Sequence, residues 1–209
     1  MKTKHRGQKY RRKFQYTLPK YIISSFVILG VLLLSYKEIW HFDNGNGGTH
    51  WSIGKPLVNI KNAYHTVSLS KIRKQALRLV NRDRELNGLS RLTEDSLLSQ
   101  TAQLHAEDMM KREFYAHVTP EGKTPTDRFQ EIGGKEGVGE NIIQQQEKYG
   151  VQLTYALVER HHKSWMYSSG HRENLLNPNY THFGYGIAIN PLTGKVYAVQ
   201  NFITKENIL

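Results

Sequence analysis

No cysteine occurs in the 209 residues. A disulfide framework, a thiolate nucleophile, a cysteine-ligated metal and a lipidated cysteine are therefore all excluded, and the folded part must be held by its core, for which it is long enough. Acidic residues are missing from positions 1–20, which carry Lys2, Lys4, Arg6, Lys9, Arg11, Arg12, Lys13 and Lys20. The formal charge of +11 is thus mostly a property of this tail, because positions 21–209 hold 21 basic and 18 acidic groups. A nucleic-acid reader needs basic residues spread over a face of the folded body, so no nucleic-acid partner is expected. No His-Glu-x-x-His, Gly-x-Ser-x-Gly or P-loop motif appears, and Gly137-Val138-Gly139 does not extend to a dinucleotide fingerprint.

Long apolar runs are also scarce, with one exception. Tyr21 to Tyr36 holds no charged residue and includes ten Ile, Leu, Val or Phe. Those ten contribute roughly −3 to −6 kcal/mol on a membrane-insertion scale. Sixteen helical residues span about 24 Å against a hydrocarbon core of about 30 Å, and Lys20 and Lys37 can snorkel at its ends, with Trp40 at interfacial depth. No small-residue cleavage site follows, so a signal anchor over 21–40 is expected in preference to a cleaved signal peptide or a core helix. The basic tail at 1–20 then stays in the cytoplasm and the C-terminal body faces outward, giving a single-pass cell-membrane protein with an extracytoplasmic domain.

Residues 41–68, with Asn44-Gly45-Asn46-Gly47-Gly48, show no sustained period and read as a flexible stalk, within which Leu57-Val58-Asn59-Ile60 could form a short strand or docking segment. The domain is expected over 69–209. Ile72, Ala76, Leu79 and Val80 recur at helical spacing up to Asn87-Gly88. Thr93 is the expected N-cap of a second helix through Met109, and Thr124-Pro125 opens a third that Gly133-Gly134 closes. A fourth covers 152–167. Residues 183–189 and 195–202 read as strands joined by the turn Asn190-Pro191-Leu192-Thr193-Gly194. Helices followed by an antiparallel hairpin predict an α+β layered domain.

Of the ten histidines, most belong to the tail, the stalk or helix faces. His161 and His162 are neighbours on one helix and point about 100° apart. His105 lies on the apolar stripe of the second helix and reads as a hydrogen-bonded core residue. His117, His171 and His182 remain, His117 and His171 at element ends where working residues concentrate. Glu140, between glycines and Ile142-Ile143, could orient a histidine and fix its tautomer, or simply cap a loop.

Several of these pieces occur together in an order that resembles the CAP superfamily (cysteine-rich secretory proteins, antigen 5, pathogenesis-related 1; the SCP-like extracellular domain) in its cysteine-free prokaryotic form. They are Asn81-x-x-Arg84 with Gly88-Leu89, Ala102-x-x-x-Ala106, His117 with Pro120 and Gly122, Gly139-Glu140-Asn141-Ile142, Trp165-x-x-Ser168-x-Gly170-His171-Arg172, and Gly184-Tyr185-Gly186. The resemblance spans about Ala76 to Phe202. It implies an α-β-α sandwich around a small antiparallel sheet, with a cleft holding two histidines and two acids. His117 and His171 match the histidines and Glu140 the first acid, while the second acid falls on Ser168, so the tetrad is incomplete. The family implies a divalent ion, zinc or magnesium, on His117 and His171. It also implies a binding or surface-interaction role toward an extracellular small molecule, lipid or envelope component. The alternative is a weak metal-assisted, peptidase-like hydrolase of extracellular or envelope material, with Glu140 as general base and Ser168 at the second acid position.

Overall fold

The computed structural model describes Trp40–Phe42 and residues 51–205. The tail at 1–20 and the run at 21–36 lie outside the described residues, among which no helix is long and apolar enough to cross a membrane.

Helix α2 (Leu69–Leu86) forms where the spacing predicts, with Ser68 as N-cap, and buries Ile72, Ala76, Leu79 and Val80 on one stripe. Helix α3 (Ser96–Arg112) is capped by Asp95, whose side chain accepts from the Leu98 N–H. Thr93, the expected cap, instead starts the two-residue strand β3 (Thr93–Glu94). Thr124 and Asp127 make a reciprocal capping box at α4 (Pro125–Glu131), with Pro125 in the first turn. Helix α5 (Tyr155–Tyr167) begins at the cap Thr154, somewhat later than 152, and a sharp corner at Ser168 leads into α6 (Ser169–Leu175).

Strands β4 (Gly139–Gln146), β5 (His182–Ile189) and β6 (Lys195–Ile203) with β3 make a four-stranded sheet of order β3-β5-β6-β4. The hairpin β5–β6 and the β6–β4 pair are antiparallel, but β3 runs parallel to β5, so the sheet is mixed and not antiparallel as expected. The connection explains this: α3 and everything to residue 181 separate β3 from β5, and a crossover of that length permits parallel pairing.

Side-chain alternation gives the sheet two buried faces. Phe183, Tyr185, Ile187, Val196, Ala198 and Phe202 join α2 and α5 residues in one core, while Tyr197 and Val199 join Ala102, Ala106 and Met109 of α3 in another. Gly184 and Gly186 let α3 lie directly on the strand, since an added Cβ would stand 2.3 Å from the Leu98 carbonyl carbon and 2.2 Å from the Gln103 nitrogen.

Two side chains in α2 tie distant backbone together. The Asn81 amide donates to the Leu92 carbonyl at 2.9 Å and accepts from the Leu92 N–H at 2.7 Å. The fully buried Arg84 guanidinium donates to the carbonyls of Ser90, Leu175, Asn177 and Tyr180.

The segment expected as a stalk is docked from residue 51 onward. Strand β2 (Trp51–Ile53) is buried and pairs with β1 (Trp40–Phe42), Trp40 standing opposite Ile53. Asn87 serves Ser52 as a strand would, accepting its N–H and donating to its carbonyl, both at 2.8 Å. Asp83 accepts the Gly54 N–H at 2.7 Å. A short helix, α1 (Ile60–Ala63), follows, and the Val67 N–H donates to the Leu153 carbonyl. The docking of residues 51–54 is hidden from local composition, because its partners are the side chains of Asp83 and Asn87 at the end of α2.

Candidate functional site

Glu140 sits in β4, opposite Asn201 of β6, on the face toward α3. It is a strand residue and not the loop residue its glycine neighbours suggest. Its carboxylate is buried, yet both oxygens are engaged. Oε1 accepts from His117 Nδ1 at 2.9 Å, and Oε2 accepts from Arg128 Nη2 at 2.6 Å. With its amide nitrogen turned inward, Asn201 also donates to Oε2, at 3.3 Å.

His117 lies in the loop between α3 and α4, as expected, with its side chain about half exposed. Arg128 holds that loop in place by donating to the His117 carbonyl at 2.7 Å from Nη1, while Nη2 pairs with Glu140. Because an ionised carboxylate only accepts, His117 donates through Nδ1–H, and its neutral ring keeps a lone pair on Nε2.

β4 is an edge strand, and side chains cover its open carbonyls. Tyr115 and Trp165 both donate to the Ile142 carbonyl, and Asn174 of α6 donates to that of Glu140. Asn141 in turn donates to the His171 carbonyl at 3.0 Å. These bonds bring the α5–α6 corner against β4 beside His117.

At that corner His171 Nδ1 is 2.8 Å from Ser168 Oγ. Ser168 is the N-terminal boundary residue of α6, but its hydroxyl makes no capping bond and is free to serve the imidazole. Burial, and secondarily the electrostatic influence of His117, hold the His171 pKa below its ordinary value, so this ring is neutral near pH 7. That interaction places the two histidines within electrostatic reach of each other. His105 is buried on α3, donates from Nε2 to the Ala116 carbonyl at 3.0 Å, and stands 4.0 Å from Glu140 Oε1, where it packs behind the site. Burial lowers its pKa. His182 is elsewhere, at the start of β5 with Thr181 Oγ1 at 2.8 Å from Nδ1.

Sequence reasoning missed Arg128. Only its place three residues after the Pro125 helix start marked it, and nothing local shows that this turn faces β4.

The set offers a potential ion two imidazoles. Among the described residues no group of three or more His, Cys, Asp or Glu is disposed to hold a metal. Two imidazoles fall short of the three-ligand arrangement usual for catalytic zinc.

Comparison with known proteins agrees with this architecture. The uncharacterised protein YkwD of Bacillus subtilis is 35% identical over 139 residues, 66% of this chain and 49% of the relative. The uncharacterised membrane protein YlbC of the same organism is 35% identical over 133 residues, 63% of this chain and 34% of that protein. The chain thus spans about half the length of the first of these curated relatives and a third of the second. Among solved structures, an extracellular SCP-domain protein of Bacillus anthracis is 28% identical with a TM-score of 0.53, covering 73% of this chain and 45% of that one. An outer surface protein of Borrelia burgdorferi shares the fold, with a TM-score of 0.56 at 19% identity over 68% of this chain and 98% of its own. The family model for CAP, the cysteine-rich secretory protein family, matches residues 77–202, so the chain belongs to the CAP family.

Proposed function

We propose that this protein is a membrane-anchored, extracytoplasmic CAP module whose His117–Glu140–His171 cleft binds a ligand or a weakly held divalent ion and does not turn over a substrate. Support for the location comes from the basic tail and apolar run at 1–36, from the membrane-protein relative and from the extracellular structural relative. The carrying observation for the cleft is the engagement of Glu140. A general base must be reached by water, and here the Glu140 side chain is 1% exposed and covered by the two donors His117 and Arg128. Glu140 therefore orients His117 and sets its tautomer, leaving Nε2 for a ligand. His171 presents its own Nε2 when Ser168 Oγ accepts from Nδ1–H. A zinc or magnesium ion would rest on His117 and His171, where it would polarise a bound oxygen or phosphoryl group of the ligand.

The hydrolase alternative requires water to reach the buried Glu140 carboxylate past His117 and Arg128. Calorimetry of the full chain in detergent with zinc at pH 7.5 tests the reading. Weak binding that His117→Ala plus His171→Ala abolishes supports it. No binding, or binding unaffected by the pair, refutes the ion site. Turnover of envelope peptides that is lost in Glu140→Gln would overturn the non-catalytic assignment.

A further inference from the structure

Four large hydrophobic side chains among the described residues are far more exposed than any other: Tyr149 at 79%, Ile60 at 75%, Leu192 at 73% and Tyr64 at 67%, the next being Leu104 at 49%. They share one surface. Ile60 and Tyr64 line an apolar cavity of about 420 Å³ together with Pro56, Val58 and Tyr155. Tyr64 and Tyr149 line the adjoining cavity, and the Gly150 N–H bonds the Pro191 carbonyl at 2.8 Å, which sets Leu192 beside them. Chance scatter of exposed apolar residues would not gather the four extremes on one face.

The charges of this face are one-sided. Lys55, Lys61 and Lys148 are exposed, whereas its two acids are each held by an arginine, Glu159 by Arg82 at 3.0 Å and Glu147 by Arg160 at 2.8 Å. Tyrosines and aliphatics rimmed by lysine suit the headgroup layer of an anionic membrane.

Chain length supplies an independent argument. Trp40 is paired with Ile53, and Ile53 and Pro56 line one pocket while Pro56 continues into the apolar cavity. Only Lys37, Glu38 and Ile39 lie between the apolar run and Trp40, about 14 Å of fully extended chain. An anchor whose apolar run ends at Tyr36 leaves a tether of only those three residues before Trp40.

We propose that the face formed by Ile60, Tyr64, Tyr149 and Leu192 rests on the anionic headgroup surface of the membrane that anchors the chain. This rests on the anchor reading above. The absence of cysteine makes the test direct: single-cysteine variants of the full chain carry an environment-sensitive fluorophore in vesicles of phosphatidylcholine and phosphatidylglycerol. Labels on Ile60→Cys and Tyr149→Cys should shift to the blue and lose quenching by aqueous iodide, while Leu104→Cys, on α3 across the sheet, stays quenched. Ile28→Cys reports the anchor alone. Labels at 60 and 149 as accessible as the one at 104, with 28 protected, would overturn the docking face and leave the anchor standing. An accessible label at 28 would remove the anchor and this face with it. Protection at 60 and 149 that grows with protein concentration in lipid-free detergent would identify a second copy as the occupant, and so refute the lipid assignment.

Discussion

The domain contains two clusters of the same composition with opposite character. Asp83 accepts from His162 Nε2 at 2.7 Å and from Arg82 at 2.6 and 2.8 Å. Glu140 accepts from His117 and Arg128 at 2.9 and 2.6 Å. Both carboxylates are buried, and each is charge-balanced by an arginine. They differ in the histidine, whose side chain is 2% exposed at 162 and 51% exposed at 117. At Asp83 both oxygens are engaged, one of them also by the N–H of Gly54, and His162 Nδ1 is shut away from solvent without a partner, so the cluster closes β2 onto α2 and α5. At Glu140 the same chemistry stops one atom short of closure and leaves an imidazole edge facing solvent. Access of the second ring nitrogen, and not the residue set, separates a clasp from a candidate site.

That contrast is open to direct attack. Asp83→Ala leaves the buried His162 ring and the Gly54 N–H without an acceptor and Arg82 with Glu159 as its remaining counter-charge, and should cost about 3–5 kcal/mol by urea unfolding, with zinc binding unchanged. A zinc isotherm that collapsed with it would merge the two clusters into one unit.

Acid should act first on the buried side. Burial pushes His161 down to about 3, so its neutral form contributes stability fully present above about 6.5 and lost as pH falls toward 3. Asp83 acts in a lower window. Burial opposes its ionisation, but bonds from His162 and Arg82 prevail and lower its pKa, so its share is present above about 4 and lost below. Urea midpoints between pH 7 and 4 should therefore fall in the native chain and flatten in His161→Phe, each unit of depression being about 1.4 kcal/mol.

At the open cluster, Glu140→Gln should weaken zinc binding about 10–100-fold by loosening His117. Ser168→Asp should do the reverse at the other imidazole, raising affinity about tenfold by giving His171 Nδ1 a charged acceptor. The smallest effect is expected for His117→Ala on stability, about 0.5 kcal/mol or less, because the ring is half exposed. A loss as large as that of Asp83→Ala would mean that His117 is structural after all.

Much of this was legible in the sequence, for reasons that can be named. The periodicity of Ile72, Ala76, Leu79 and Val80 and the Thr124-Pro125 start depend on neighbours in the chain, and both hold. His117, Glu140, Ser168 and His171 were selected mainly by a resemblance in order and spacing, and the structure brings His117 to Glu140 and Ser168 to His171. Three features were hidden because their causes lie far off. β4 reads as a loop since its pairing partner is β6, at the far end of the domain. β3 is two residues long and needs β5 to exist. Residues 51–55 look unstructured until Asn87 and Asp83 supply their hydrogen bonds.

Arg84 carries a consequence for how such a domain can be made. Its donors gather four carbonyls from two distant segments, Ser90 and residues 175–180, at one point, the service that a covalent bridge performs in many exported folds. A bridge of that kind needs an oxidant and the correct partner, whereas this fastening forms on collapse and reopens on unfolding. Thiol reductants should leave the domain untouched, and it can mature on either side of a membrane. Lysine at position 84 would keep the charge and lose the fork, leaving those carbonyls unserved.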